Sequence, residues 1–168
     1  MFHVKRGERR QREWDADSLY AYGLRLLTYR PRSEHEVRQR FRERAAPVEL
    51  VDSAIERLRQ AGFIDDEAFA QTWVDSRRRV APRGDRLLQH ELAAKGVPRA
   101  AIEAAVASEA DPVVLARAAA TKKARSLAGE PEPVFVRRLT DFLLRRSFDY
   151  ETAATVVREL LADRSAGL

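Results

Sequence analysis

The chain has 168 residues, which suits one domain with a sizeable core or a short array of small repeated units, but not two enzyme-sized domains. It contains no cysteine, which excludes disulfides and thiolate-bound zinc, and no apolar run approaches the roughly 20 residues of a membrane span. Its 31 Lys and Arg residues outnumber 26 Asp and Glu residues, for a net charge of +5, and most of the cations are arginines. Because guanidinium groups bind phosphate and carboxylate in a two-pronged geometry, this charge favours an anionic partner.

The N-terminal segment, residues 1–12, is basic, but acidic residues follow it where a secretory signal would have an apolar stretch. We therefore do not expect a secretory signal, and we expect the protein to be cytoplasmic. We expect residues 1–15 to form a basic arm that is disordered.

From residue 16 onward, apolar residues recur at helical spacing, and no segment alternates for long enough to predict a strand. We predict three units of three helices each, at 16–64, 65–110 and 111–168. Their predicted helices are, in chain order, 16–29, 34–45, 47–61, 66–80, 84–95, 98–108, 112–128, 133–146 and 149–163.

Residues that favour helix ends lie at the predicted boundaries. Asp65, Asp66 and Glu67 could be mistaken for a catalytic acidic pair, but they precede an apolar run, so we interpret them as a helix N-cap. The other signals are a capping box of Ser33 and Glu36, Asp111 before Pro112, and a glycine ending a helix at Gly62 and at Gly96.

The chain matches itself when it is shifted by 51 residues. The matching apolar positions are Val37, Leu88 and Leu139; Phe41, Leu92 and Leu143; Ala46, Val97 and Phe148; Val51, Ile102 and Ala153; Ile55, Val106 and Val157. Any two amphipathic helices resemble each other, but prolines carry no helical period, and Pro31, Pro82 and Pro133 fall in the same register. Tandem units bury one another's apolar faces, so the sequence predicts an elongated, curved all-α array of either hand, with no deep central pocket.

Arginines cluster around the turn between the first and second predicted helices of each unit, whereas the third helices carry most of the acids. For any single arginine, the usual role is a solvated helix face with acidic neighbours at i,i+4. For the cluster of Arg77 to Arg79 and for Arg30 with Arg32 we favour a role in binding, because three adjacent arginines cannot all find local acids. If the units stack regularly, these clusters form a basic ridge that faces an anionic partner.

Sequence motifs for catalysis or cofactor binding are missing. Gly84 and Gly96 lack the glycine-lysine pattern of a phosphate-binding loop, and the chain's histidines are too far apart in sequence for a metal site. We expect a protein that is not an enzyme and holds no metal or cofactor. Trp73 lies at core spacing from Phe69, which favours packing between units over base stacking.

Three segments resemble RecX proteins, in the right order and at the right spacing. They are LRLLTYRPRSEHEVRQRF at 24–41, AIERLRQAGFIDDEAFAQTWVDSR at 54–77 and PRGDRLLQHELAAKGV at 82–97. The resemblance is strong over about residues 19–108 and looser in the third unit. Two departures are Ala45, where the family pattern often has glycine, and the joint of Ser147 and Asp149, which lacks the glycine and proline found at Gly96 and Pro98.

The resemblance implies a regulator that binds the RecA recombinase or the RecA–DNA filament and inhibits its recombinase and ATPase activities, in homologous recombination, DNA repair and the SOS response. It also implies three tandem three-helix repeats lying in the filament groove. We expect a monomer that does not bind membranes. The alternative is an autonomous, sequence-nonspecific binder of single- or double-stranded DNA that uses the basic ridge. The candidate partner-binding or DNA-binding residues are Arg30, Arg32, Arg77, Arg78, Arg79, Arg83, Arg86, Arg137 and Arg138.

Overall fold

A computed structural model describes residues 14–107 and 111–166, and this part of the chain forms nine α-helices and no strand. The helices are α1 (Ala16–Tyr29), α2 (Glu34–Glu43), α3 (Val48–Gln60), α4 (Asp66–Val80), α5 (Asp85–Ala94), α6 (Arg99–Val106), α7 (Pro112–Ser126), α8 (Glu132–Leu144) and α9 (Tyr150–Ser165). The predicted all-α fold is confirmed, and every predicted helix start lies within one residue of an observed start. None of the described helices combines the length and apolar character that crossing a membrane requires.

The predicted helix caps are confirmed by their hydrogen bonds. Ser33 accepts a hydrogen bond from the backbone N–H of Glu36, which completes the capping box of α2. Asp65 accepts from the backbone N–H of Ala68, so this acidic cluster stabilises the start of α4. The side-chain oxygens of both caps satisfy N–H groups that have no partner within the helix, and the Asp65 carboxylate also compensates the positive end of the helix dipole.

The joint between the second and third helix of each unit has the same backbone. Ala45, Gly96 and Ser147, which are 51 residues apart, all have positive φ angles, at 52°, 71° and 61°. The two departures from the glycine pattern therefore leave the chain path unchanged. After each joint, α3, α6 and α9 also start 51 residues apart.

The apolar positions that match at this spacing form the interior. Val37, Leu88 and Leu139 are fully buried, as are Phe41, Leu92 and Leu143. Each set contributes one residue to each of three separate hydrophobic clusters. The sequence register therefore identifies the core positions of α2, α5 and α8.

The 51-residue spacing does not extend to the first helices. The start of α7 at Pro112 lies 46 residues after the start of α4 at Asp66. The reason is that α6 has 8 residues whereas α3 has 13. The third repeat therefore begins early, and α8 starts earlier than the register predicts, with Pro133 in its first turn.

The chain divides into two compact units, with the boundary between Ile64 and Asp65. In the first unit, α1 packs on α3 at Gly23, where an added Cβ would lie 2.6 Å from a terminal methyl group of Leu58. In the second unit, the backbone N–H of Gly84 donates to the carbonyl of Arg146 at 2.8 Å, which joins the start of α5 to the end of α8. The further division at residue 110 stays a prediction, and residues 1–13 of the predicted arm lie outside the described chain.

Candidate partner-binding surface

The α1–α2 turn carries Arg30 and Arg32 in fixed positions. Arg30 donates from both terminal nitrogens to the carboxylate of Glu36, at 3.0 and 3.1 Å. Arg32 donates from Nε to the carbonyl of Leu26 at 3.1 Å, which anchors the turn to the end of α1. Burial, and then the neighbouring charge of Arg30, lowers the pKa of Arg32. Arginine stays protonated at neutral pH, so this direction reports a cation-rich, partly desolvated turn.

An aromatic residue of α1 binds further arginines in the first unit. The guanidinium groups of Arg25 and Arg44 lie 5.8 and 5.6 Å from the ring centroid of Tyr22. Trp14 packs against the same ring, with centroids 5.6 Å apart, and its Nε1 donates to the carbonyl of Arg44. Cation–π contacts of this kind hold long side chains in place. The spacing of Tyr22 and Arg25, three residues apart on one helix, was the sequence signal for this contact.

The three adjacent arginines at the end of α4 have three different environments. Arg77 donates to Glu91 at 3.1 Å, and its guanidinium lies 4.2 Å from the centroid of Trp73. Arg78 donates to the carbonyl of Val106 and to Asp85, and its side chain is only 14% exposed. Arg79 is exposed and has no acidic partner among the described residues. The expectation that the three arginines cannot all find acidic partners is therefore correct. Arg79 is the one that has no acidic partner among the described residues.

Glu91 of α5 is an organising residue that sequence reasoning missed. Its carboxylate accepts hydrogen bonds from Trp73 Nε1 at 2.9 Å and Arg77 Nε at 3.1 Å, and it also contacts the guanidinium of Arg83. The ammonium of Lys95 lies 4.3 Å from the Trp73 centroid. The i,i+4 spacings of Trp73 with Arg77 and of Glu91 with Lys95 were visible in the sequence. The sequence did not show that Glu91 of α5 would contact side chains of α4.

Trp73 packs as a partly buried residue against the cluster formed by α4, α5 and α6. The interpretation of Trp73 as a packing residue is confirmed, but its placement between units is wrong. Its ring lies 6.1 Å from that of Phe69, on the same helix. The bond to Glu91 explains this, because a half-buried indole needs an acceptor for its N–H and finds one on the next helix.

Arg83 and Arg86 flank the start of α5. Burial lowers the pKa of Arg83, followed by the charges of Arg77 and Arg146. The contact with Glu91 acts in the opposite direction, so we take this lowering as a sign of crowded cations and not of lost charge. Arg86 is exposed and has no acidic partner in the described chain.

The two candidate residues of α8 also differ. Arg138 donates to Glu130 at 2.7 Å. Arg137 is exposed, and no acid of the described residues pairs with it. Among the candidate residues of the second unit, the exposed arginines without an acidic partner in the described chain are therefore Arg79, Arg86 and Arg137. The described residues contain no group of three side chains that could hold a metal ion.

The fold and this surface define a class, an all-α helical repeat protein with arginine-rich turns. The family model for the second three-helix domain of RecX matches residues 65–106, and the model for its first three-helix domain matches residues 20–58. A protein of Thermobifida fusca (strain YX), named Regulatory protein RecX, is 36% identical over 140 residues, which cover 82% of this chain and 76% of that protein. The chain therefore belongs to the RecX family.

Two further relatives bear on coverage and fold. Regulatory protein RecX of Geobacillus kaustophilus (strain HTA426) is 32% identical over 142 residues, which cover 83% of this chain, and the chain spans only 53% of that longer protein. The crystal structure of RecX from Lactobacillus salivarius superposes with a TM-score of 0.74 at 22% identity, over 86% of this chain and 96% of that one. At this identity, the superposition supports the fold alone.

Proposed function

We propose that this chain is a regulatory protein that binds RecA or the RecA–DNA filament and inhibits its recombinase and ATPase activities. The observation that carries the proposal is membership of the RecX family, whose relatives bear the name Regulatory protein. The second unit adds a physical basis, since it presents exposed arginines that no acid of the described chain neutralises.

The nine candidate arginines divide into two groups by their contacts. Arg79, Arg86 and Arg137 are exposed and have no acidic partner in the described chain, so they can bind an anionic partner without losing an internal contact. The other six already contact an acceptor within the chain, as Arg30 does with the carboxylate of Glu36. We assign the first group to direct contact. We assign the second group to holding the turns, with exposed edges that add to the positive potential.

The proposed mechanism is obstruction and involves no chemistry by the chain itself. A helical repeat protein that occupies a filament groove blocks the approach of the second DNA strand and the movement of RecA subunits that ATP turnover requires. Such a regulator acts at substoichiometric to stoichiometric amounts. Full strand exchange in the presence of excess protein would contradict it.

A second candidate function is autonomous DNA binding, which the net charge of +5 and the open arginines favour. It predicts affinity for DNA without RecA, falling steeply with salt because counterions are released. Labelled single-stranded DNA titrated with and without RecA separates the two functions. Binding that needs RecA supports the first function, and tight binding without RecA supports the second.

The assay that tests the proposed surface is RecA ATPase inhibition by Arg79→Glu/Arg86→Glu. Both arginines are exposed, so the fold should be preserved, and loss of two interface arginines should raise the half-inhibitory concentration about tenfold or more. Arg78 is left intact because its bonds to Val106 and Asp85 are structural.

The matched control is Arg99→Glu/Arg158→Glu, which makes the same charge change at exposed arginines outside the candidate set. This control should inhibit nearly as well as the wild type. Equal inhibition by both variants would remove the α4–α5 surface from the mechanism. Absence of inhibition by the wild type would overturn the proposed function itself.

A further inference from the structure

A cavity of about 410 Å³ lies inside the second unit, where the end of α4 faces α7 and α8. One wall is apolar and includes Val80, Pro82 and Phe142. Val80 is 76% exposed and open to a ligand, whereas Pro82 is buried and Phe142 is partly buried. Ala118 and Ala119 of α7 form another side, and their small side chains keep the cavity open.

The remaining lining of the α7 cavity is cationic. Lys122, Lys123 and Arg146 contribute to it, and none of its lining residues is acidic. Neither lysine has an acidic partner in the described part of the chain. The result is a concave site with an uncompensated positive charge beside an apolar wall.

Arg146 adds a second, independent feature. Its guanidinium lies 4.1 Å from the centroid of Phe142, so a flat cation covers the aromatic part of the wall. Its Nε is buried and has no acceptor among the described residues.

We propose that the α7 cavity binds one nucleotide of a single-stranded nucleic acid. The phosphodiester would lie at Lys122 and Lys123, and the base would pack against Val80 and stack on the Arg146 guanidinium that covers Phe142. A cationic edge beside a flat stacking surface binds single strands, because it attracts the backbone and stacks the base. The volume suits a nucleotide-sized group.

Two other occupants fit the cavity less well. A duplex keeps its bases stacked inside the helix, so it would leave the apolar wall empty. An acidic peptide would satisfy the lysines, but a carboxylate side chain has no planar ring to pack against Val80 and the Arg146 guanidinium. The nucleotide of a single strand uses both the charge and the wall.

The test is fluorescence anisotropy of a labelled oligo-dT with the full chain and no RecA, at low salt. Lys122→Glu should weaken binding about tenfold, because it replaces a phosphate contact with a like charge. Arg158→Glu is the control, since it makes the same charge change at an exposed residue that does not line the cavity. It should weaken binding much less.

A second variant, Ala118→Leu, tests the wall without changing the charge. Ala118 is exposed on α7, and leucine is also a good helix former, so the fold should tolerate the change. The wild type should bind oligo-dT more tightly than an abasic strand of equal length. Ala118→Leu should remove that difference, and thermal unfolding followed by circular dichroism confirms that each variant is folded.

Four outcomes would overturn the site. They are no binding of oligo-dT by the wild type, equal weakening by Lys122→Glu and Arg158→Glu, competition by ATP at the affinity of the strand, and stronger competition by a glutamate-rich peptide than by DNA. None of them bears on RecA inhibition, because this assay contains no RecA. The site and the proposed function can therefore fail separately.

Discussion

Three residues, Ala45, Gly96 and Ser147, have the left-handed backbone that ends α2, α5 and α8. Left-handed φ angles bring a Cβ atom close to the backbone, which costs roughly 1–2 kcal/mol for residues other than glycine. The chain therefore carries this strain at two of its three joints. The 51-residue spacing of the three positions is visible in the sequence, but alanine and serine at two of them did not predict a left-handed backbone.

Ala45→Gly should stabilise the protein by about 1 kcal/mol, because glycine removes the steric cost at a φ of 52°. Ala45 is exposed, so its methyl group contributes little packing that could be lost. Urea unfolding followed by circular dichroism measures the change.

The reciprocal control is Gly96→Ala, at a φ of 71° and equally exposed. It should destabilise the protein by a similar amount. A loss of stability in Ala45→Gly would show that the reduced freedom of alanine in the unfolded chain outweighs the strain.

At the same scale, the sequence predicted where arginines cluster but not what each one does. Arg78 and Arg79 are neighbours of one type, yet Arg78 bonds to the carbonyl of Val106 whereas Arg79 is open. Their side chains leave the helix about 100° apart, and only the packing of α6 against α4 decides which one is covered. The role of Glu91 depends in the same way on how α4 meets α5.

At the scale of elements, helices and core positions were predictable because caps and periodic apolar residues are local signals. The early start of α7 was not predictable. The 51-residue register places Ile102 and Val106 correctly, but it cannot show that α6 ends at Val106 when α3 continues for five residues more. A helix end in an alanine-rich segment depends on the neighbouring helices as well as on propensity.

Gly84 joins the start of α5 to the end of α8. Glycine is needed at this position because there is no space for a side chain, and not because the backbone angle is unusual. Its φ of −68° suits any residue, but an added Cβ would lie 2.0 Å from the carbonyl oxygen of Ser147. Backbone cannot move aside as the end of a side chain can. Gly84→Ala should therefore cost about 1–3 kcal/mol, the usual range for overpacking, in urea unfolding.

Gly129→Ala is the matched control for this substitution, because a Cβ at Gly129 meets no atom within 4 Å. It should leave stability unchanged or slightly increased, since alanine reduces the freedom of the unfolded chain. Equal effects of the two substitutions would show that the contact between α5 and the end of α8 does not stabilise the protein.

At the scale of the whole molecule, the boundary between Ile64 and Asp65 separates two compact units. The second unit contains two of the three hydrophobic clusters, one built from α4, α5 and α6 and the other from α7, α8 and α9. Gly84 and Arg146 link them through a backbone hydrogen bond of 2.8 Å. This hydrogen bond and the residues from both halves that line the α7 cavity join the two clusters into one unit of about domain size.

A fragment of residues 65–168 should therefore fold alone and unfold in one cooperative transition, measured by urea titration with circular dichroism and tryptophan fluorescence of Trp73. Coincident transitions are expected, because circular dichroism reports all six helices and Trp73 reports only the α4–α6 cluster. A fragment of residues 65–110 should be far less stable, since a single cluster of roughly 45 residues buries too little apolar surface to offset its chain entropy.

Gly84→Ala in the longer fragment should separate the two transitions, and coincident curves there would show that the clusters couple by another route. A non-cooperative transition in the longer fragment itself would mean that the second unit depends on the first.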